Sequence, residues 1–274
     1  MKPRNRWLSA YAVVVYVFLF APIVVLILFS FNSSRANFQW EGFTLDWYPT
    51  LFKNRRLLDA VSVTLRVALV AVVVSTVIGT LLGLALARVR FRGRAAAETL
   101  LLVPMVTPEI IMGLSLLVFF FAAFGGRGSF GQLALAHITF CISYVAIVVR
   151  ARAAGMNPQL EEAARDLGAS AFGAFRYITL PLIRPAIVSG ALLAFALSFD
   201  DYVVTTFNAG VGSSTLPLFI YSKVKFGVTP EINAISTIIV AVTAVAVLVA
   251  WRLNRRRDDE SLVVAEPEAE PGRP

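Results

Sequence analysis

The stretch Asn157-Pro158-Gln159-Leu160-Glu161-Glu162-Ala163-Ala164-Arg165-Asp166-Leu167-Gly168, running on to Ile178-Thr179-Leu180-Pro181, is the one long polar interval between otherwise apolar segments. Asn157 suits an N-cap, Pro158 suits the first helical turn, and Glu161 and Glu162 lie where the helix dipole favours anions. Gly168 can end the helix in the left-handed conformation. The spacing predicts a short helix capped at both ends. Leu160, Ala163, Ala164 and Leu167 recur at i, i+3, i+4, i+7 and share one face, while Gln159, Glu162 and Asp166 share the opposite one. In a chain this apolar, the first face is expected to rest on a membrane domain and the second to address a soluble partner. An ordinary amphipathic loop helix is the plainer reading of the same spacing.

The 274 residues are 58% hydrophobic and 15% charged, with a mean hydropathy of +0.74. Those values exclude the soluble globular class, and whole stretches of about twenty residues carry no charge, as a bilayer span requires. A formal charge of +8 raises the question of nucleic acid. The basic residues, however, come in short groups at the ends of apolar runs, which is the pattern of topology signals. No nucleic-acid partner is expected. The single Cys141 lies in an apolar run and is read as packing.

Hydropathy places six spans at about residues 8–31, 61–88, 99–124, 133–149, 185–207 and 232–251. The first is read as an uncleaved span, with a secretory signal as the lesser alternative, since such a signal has a shorter core and a small-residue cleavage site. Residues 32–60 are polar but carry Phe38, Trp40, Phe43, Trp47, Tyr48 and Phe52, a density that suits a membrane–water boundary, with a short surface helix over 45–52 capped by Thr44. In the second span Ser75, Gly79, Gly83 and Ala87 recur every four residues and predict a close-packing seam. Pro108 predicts a kink or local unwinding in the third. His137, the only histidine, is read as a satisfied residue with no role. Lys2, Arg4 and Arg6, then Arg88 to Arg94, Arg150 and Arg152, and Arg252 to Arg257 flank the ends assigned to the cytoplasm, and a thinner basic set lies outside. Both termini and the 150–184 loop are therefore placed inside, and residues 258–274, acidic and proline-containing, are expected to be a disordered tail.

No Gly-x4-Gly-Lys-Ser/Thr cradle for a nucleotide is present, nor a nucleophile–base pairing, zinc spacing or Gly-x-Ser-x-Gly elbow. No catalytic or metal-binding residue is assigned, and any ATP and magnesium belong to another subunit. Three acids fall inside spans: Glu109, Asp200 and Asp201. Buried charge in a bilayer is costly, so these side chains should face protein, water or a cation. With Tyr202 and Phe199 beside them they suit an ammonium group. Pairing with Arg66 or with a partner helix is the structural alternative.

Glu162-Ala163-Ala164, three residues, Gly168, nine residues, Ile178, one residue and Leu180-Pro181 resembles in full the EAA loop of ABC importer permease subunits. Thr107-Pro108-Glu109-Ile110-Ile111-Met112, His137-Ile138-Thr139-Phe140, Ser198-Phe199-Asp200-Asp201, Leu216-Pro217-Leu218, Ile220-Tyr221-Ser222-Lys223-Val224 and Val228-Thr229-Pro230-Glu231-Ile232-Asn233-Ala234 look like the spermidine/putrescine importer permeases of the C or I type. The resemblance covers about residues 8–257, and Glu109 departs from it by standing where aspartate is expected. It implies an all-α integral membrane protein of the bacterial inner membrane, with six transmembrane helices in the type I ABC importer permease fold and a cytoplasmic coupling helix. Glu162, Ala163, Ala164, Gly168, Ile178, Leu180 and Pro181 would couple it to a dimer of ATP-binding subunits. A sister permease and an extracytoplasmic binding protein would complete the importer, and the polyamine would pass Glu109, Asp200, Asp201 and Tyr202. A related permease for ferric ion, sulfate or thiamine is the second reading, and a channel or membrane scaffold the third.

Overall fold

The computed structural model describes residues 6–34, 39–126, 128–225 and 227–265, with backbone alone for residues 6, 246, 247, 249–251 and 253–265. The described residues are helical almost throughout, and an isolated antiparallel bridge joins Asn32 to Phe43. The helices fall into two units, Met1–Asn54 with Lys223–Pro274, and Arg55–Ser222.

In the first unit, α1 (Arg6–Phe29) is apolar on all sides and its described side chains are mostly exposed, as a helix solvated by lipid requires. The polar segment after it is built around Asn32. Its Nδ2 donates to Gln39 O at 2.7 Å, and its Oδ1 accepts from Glu41 N at 3.0 Å. Trp47 Nε1 donates to Asn32 O at 2.8 Å, and the Phe31 ring lies 5.4 Å from Phe43 and 5.6 Å from Tyr48. The expected surface helix is α2 (Trp47–Lys53), preceded by Thr44 Oγ1 accepting from Asp46 N at 3.2 Å. The last helix, α12, runs Pro230–Ala265. It passes residue 258, where a disordered tail was expected to begin, and residues 266–274 of that expected tail lie outside the described residues.

The second unit holds α3 (Arg55–Arg88), α4 (Arg94–Val106), α5 (Glu109–Phe124), α6 (Phe130–Ala154), α7 (Gln159–Asp166), α8 (Ala171–Ala174), a π-helical turn (Phe175–Thr179), α9 (Leu180–Asp200), α10 (Val203–Asn208) and α11 (Leu216–Val224), whose last two residues pass into the first unit. Its core lies where α3, α6 and α9 pack together, with Cys141, Val145 and Val149 of α6 and Ile183 and Ala194 of α9 fully buried. Ser75, Gly79 and Gly83 form the seam expected on α3. A Cβ on Gly83 would stand 2.6 Å from Ala146 O, and one on Gly79 would stand 2.7 Å from Val145 Cβ, so only glycine lets these helices approach this closely. A capping box, Ser129 with Gln132, starts α6.

Four helical segments are long and apolar enough to cross a bilayer: Trp7–Phe29, Arg55–Arg88, Phe130–Ala154 and Ala171–Asp200. The pair α4 and α5 passes the same test only when taken together and is bent by 111°, the geometry of a broken span or a re-entrant loop, and the described apolar part of the last, Pro230–Val245, is shorter. Each of the six expected segments is thus occupied by helix, but two are interrupted. The third breaks at Thr107, held extended (φ −68°, ψ 130°) because Pro108 disfavours helical geometry before it. The fifth, expected to run unbroken over 185–207, is corrected to α9, a break at Asp201 and Tyr202, and α10.

Candidate functional site

The two breaks meet at one cavity of about 340 Å³. Pro104 of α4, Glu109 and Met112 of α5, Phe140 and Tyr144 of α6, Asp200 of α9, and Asp201 and Tyr202 from the second break line it. All four residues named from the sequence for a substrate path therefore share one space. Irregular backbone at membrane depth is tolerated where it lines such a cavity, which accounts for the position of the breaks.

The three acids are not equivalent. Asp201 Oδ1 accepts from Val204 N at 3.2 Å, and its Oδ2 accepts from Thr205 N and Thr205 Oγ1, each at 2.7 Å. It thus serves the first turn of α10 as a cap would, and its side chain is 7% exposed. Capture of those amides is also what restarts the helix after a break of two residues, Asp201 and Tyr202. Glu109 and Asp200 are exposed and, among the described residues, make no side-chain hydrogen bond or ion pair. Glu109 sits in the first turn of α5, where the dipole favours an anion. Asp200 ends α9, where unpaired carbonyls already place negative charge, so this end of the cavity favours a cation. The alternative pairing with Arg66 is not formed: its guanidinium donates to Ser62 Oγ at 2.6 Å and 3.1 Å. Beside the acids, the Tyr202 ring lies 4.3 Å from the Tyr221 ring, centroid to centroid.

His137, given no role by sequence, is fully buried behind Asp201. Its Nδ1 lies 2.8 Å from Ser198 Oγ, and its Nε2 lies 3.1 Å from Thr205 Oγ1 and 3.6 Å from Asp201 Oδ2. One ring on α6 thereby ties the end of α9 to the start of α10. The signal available in the sequence was that a histidine within an apolar run must find polar partners. Those partners lie 61 and 68 residues away.

The expected coupling helix is α7. Asn157 Oδ1 accepts from Gln159 N at 3.0 Å, and Pro158 stands at its first turn. At the other end Gly168 has φ +88°, Gly168 N donates to Arg165 O at 2.9 Å, and Ala169 N donates to Ala164 O at 3.0 Å, the two bonds of a Schellman cap. Both expected caps are present, but the orientation is not as expected. Leu160, Ala163 and Leu167 are exposed, Leu167 by 90%, as are Gln159, Glu162 and Asp166. The inward side is Glu161 with Ala164, so of the apolar stripe only Ala164 is turned toward this chain. Glu161 wins the inward position because it is bonded there: Thr179 Oγ1 donates to its Oε1 at 2.6 Å, and Arg88 Nη2 stands 3.5 Å away. Ile178 is half-buried in the π turn, and Leu180 and Pro181 open α9.

A second charged cluster lies beside the start of α4. Glu98 Oε1 accepts from Arg94 Nε at 2.9 Å and meets Arg150 Nη2 at 2.8 Å. The Arg94 hydrogen bond, joined by the charge of Arg150, holds the Glu98 carboxyl below its ordinary value despite some desolvation.

Residues 79–258 match the family described as binding-protein-dependent transport system inner membrane component. The chain is 40% identical over 265 residues to the putrescine transport system permease protein PotI of Escherichia coli K12, covering 94% of each. It is 42% identical over 250 residues to the spermidine/putrescine transport system permease protein PotC of Haemophilus influenzae, covering 91% of this chain and 97% of that one. Among solved structures, a bacterial ABC transporter that imports alginate superposes with a TM-score of 0.68 at 16% identity, over 93% of this chain and 98% of that one. The MetNI methionine ABC transporter in an inward-facing form gives a TM-score of 0.57 at 16% identity, over 78% and 99%. At such identities the likeness is one of fold.

Proposed function

The chain belongs to the binding-protein-dependent transport system inner membrane component family, and from that premise we propose that it is a permease subunit of an ATP-driven polyamine importer. The observation that carries the substrate class is the cavity at the two helix breaks. It offers two carboxylates, Glu109 and Asp200, without partners among the described residues, the carbonyl end of α9, and the rings of Tyr144 and Tyr202. An alkyl diammonium or triammonium chain has charges to meet the acids and methylenes to lie along Met112 and Phe140. The names of the putrescine and spermidine/putrescine relatives point the same way. Sulfate is disfavoured by like charge at such a site.

In this reading ATP and magnesium are held by separate subunits, which dock on the exposed surface of α7 that carries Glu162, Ala163 and Leu167. A sister permease completes the pathway, and an extracytoplasmic binding protein delivers the substrate. Both termini and the α6–α9 loop lie on the cytoplasmic side, as the flanking arginines direct. Closure of the ATP-binding subunits moves α7, and the helices around the cavity exchange access from one side to the other.

The test is uptake of labelled putrescine and spermidine by cells lacking this chain, with and without its restoration, in a strain with no other polyamine importer. Restored, energy-dependent uptake that unlabelled sulfate and thiamine do not compete is the expected result. Restoration of the chain without polyamine uptake removes the substrate class.

A further inference from the structure

We propose that Arg88, Glu161 and Thr179 form a clasp that carries movement of α7 into α3 and α9, making Glu161 a positioning residue for transport with a role separate from that of Glu162. The inference rests on the transport reading above.

Glu161 and Glu162 are adjacent on α7 but point differently: Glu162 is exposed, while Glu161 is turned inward and its side chain is 24% exposed. Its Oε1 is shared by two elements that are remote in sequence. Arg88 is the last residue of α3, a helix that packs along both α6 and α9, and Thr179 is the last residue of the π turn that leads into α9. Through one carboxylate oxygen, α7 is therefore attached to the ends of two long helices. A further side-chain bond near this part of the chain, Arg152 Nε to Leu182 O at 3.1 Å, involves α6 and α9 and does not touch α7.

Two further features mark the clasp as a moving contact rather than a surface ion pair. First, Arg88 Nε and Nη2 are inaccessible and make no hydrogen bond among the described residues, and the approach of Nη2 to Glu161 at 3.5 Å is longer than a charge-assisted hydrogen bond. The Arg88 side chain is 24% exposed, but two inaccessible guanidinium nitrogens without a hydrogen bond are costly, and the cost falls when the carboxylate moves closer. A cavity of about 230 Å³ lined by Arg88, Glu161, Arg165, Phe175 and Thr179 leaves room for that movement. Second, Thr179 sits on a π turn, a form in which the helical ladder is out of its usual register. Pro181 and Pro185 follow it, and because neither donates an N–H, the ladder lacks one bond between the π turn and α9 and another between the first and second turns of α9. Inward movement of α7 would shorten the Arg88–Glu161 contact and pull on Thr179 at a place where the backbone can yield. In the other access state the contact is a short ion pair.

The test uses the complete importer, with its ATP-binding subunits, sister permease and binding protein, in proteoliposomes. Uptake of labelled putrescine and ATP hydrolysis are read together. In Glu161→Gln and in Thr179→Val, the ATP-binding subunits co-purify in the wild-type ratio while uptake per ATP falls, by about tenfold for the glutamate, which loses a charge-assisted contact. Arg88→Glu behaves like Glu161→Gln, and the double variant Arg88→Glu with Glu161→Arg returns uptake per ATP to within about threefold of wild type, since the pair is restored with reversed sign. Unchanged uptake per ATP in both Glu161→Gln and Thr179→Val overturns the clasp. So does loss of the ATP-binding subunits from Glu161→Gln, which makes Glu161 a docking residue, and so does a double variant no better than either single one. A wild-type complex that holds no ATPase, or that takes up no putrescine, overturns the transport reading itself and the clasp with it.

Discussion

Replacing Gly168 tests whether the cap of α7 matters through backbone conformation. Gly168 has φ +88°, and nothing lies within 4 Å of where a Cβ would be, so an added side chain meets open space and the whole penalty is backbone strain. For an L-residue in the left-handed region that strain is about 1–2 kcal/mol, greater for a β-branched residue and smaller for asparagine. Since 1.4 kcal/mol is a factor of ten, the Schellman-capped form of α7 falls roughly five- to thirtyfold relative to uncapped forms. α7 has eight residues and no propensity reserve to absorb that loss. Gly168→Val is therefore expected to lower ATP-driven uptake in vesicles by about the same factor, with the amount of protein in the membrane unchanged, and Gly168→Asn to lower it less. Uptake by Gly168→Val equal to wild type would refute the reasoning. A Gly168→Asn variant as defective as Gly168→Val would do the same, because the two differ mainly in tolerance of positive φ.

Gly83→Leu forces α3 away from the backbone of α6, at Ala146 O, and is expected to cost at least about 1–3 kcal/mol and to reduce the folded protein recovered from membranes; wild-type recovery would show that the seam is loose. Asp200→Asn is expected to raise the KM for putrescine without changing the melting temperature. Asp201→Asn, which weakens the bonds that start α10, should lower the melting temperature by an amount equivalent to about 1–2 kcal/mol. His137→Asn should lower it too, and less than additively with Asp201→Asn, because the ring and the carboxylate share Thr205; additive losses would mean that they act separately. For Glu98, whose folded-state pKa is depressed by Arg94 and Arg150, the stabilisation is present above the ordinary carboxylate range and is lost as pH falls through the folded value. Thermal melts of Glu98→Gln should show a smaller acid-side loss than wild type, and parallel curves would remove the pair from the pH dependence.

What could be read in advance divides by the range of the interaction. The caps of α7 were legible because Asn157 and Gly168 act on amides and carbonyls within a few residues. Which side of α7 faces inward was not legible, because it is decided by Arg88 and Thr179, distant in sequence from Glu161, and a half-buried charged contact outweighed the apolar stripe. The break at Thr107 followed from Pro108, a local steric rule. The break at Asp201 carries no proline, and the hydropathy of residues 185–207 reads as one span. Its cause is side-chain capture of Val204 N and Thr205 N by a residue that the sequence also offers as a cation ligand. The gathering of Glu109, Asp200, Asp201 and Tyr202 at one cavity was anticipated as a shared cation path, because acids inside spans need protein, water or a cation to face. Their division into exposed acids and a capping acid required the positions of His137, Ser198 and Thr205.

The most direct test of the cation path is ATP-driven uptake of labelled putrescine into proteoliposomes holding the complete importer, with the wild-type chain and with Asp200→Asn. Saturable uptake is expected for wild type, and for the variant a KM raised about tenfold, the effect of losing one charge-assisted contact. Putrescine uptake with the same KM in both would contradict it, since the exposed carboxylate at the end of α9 would then play no part in recognising the cation.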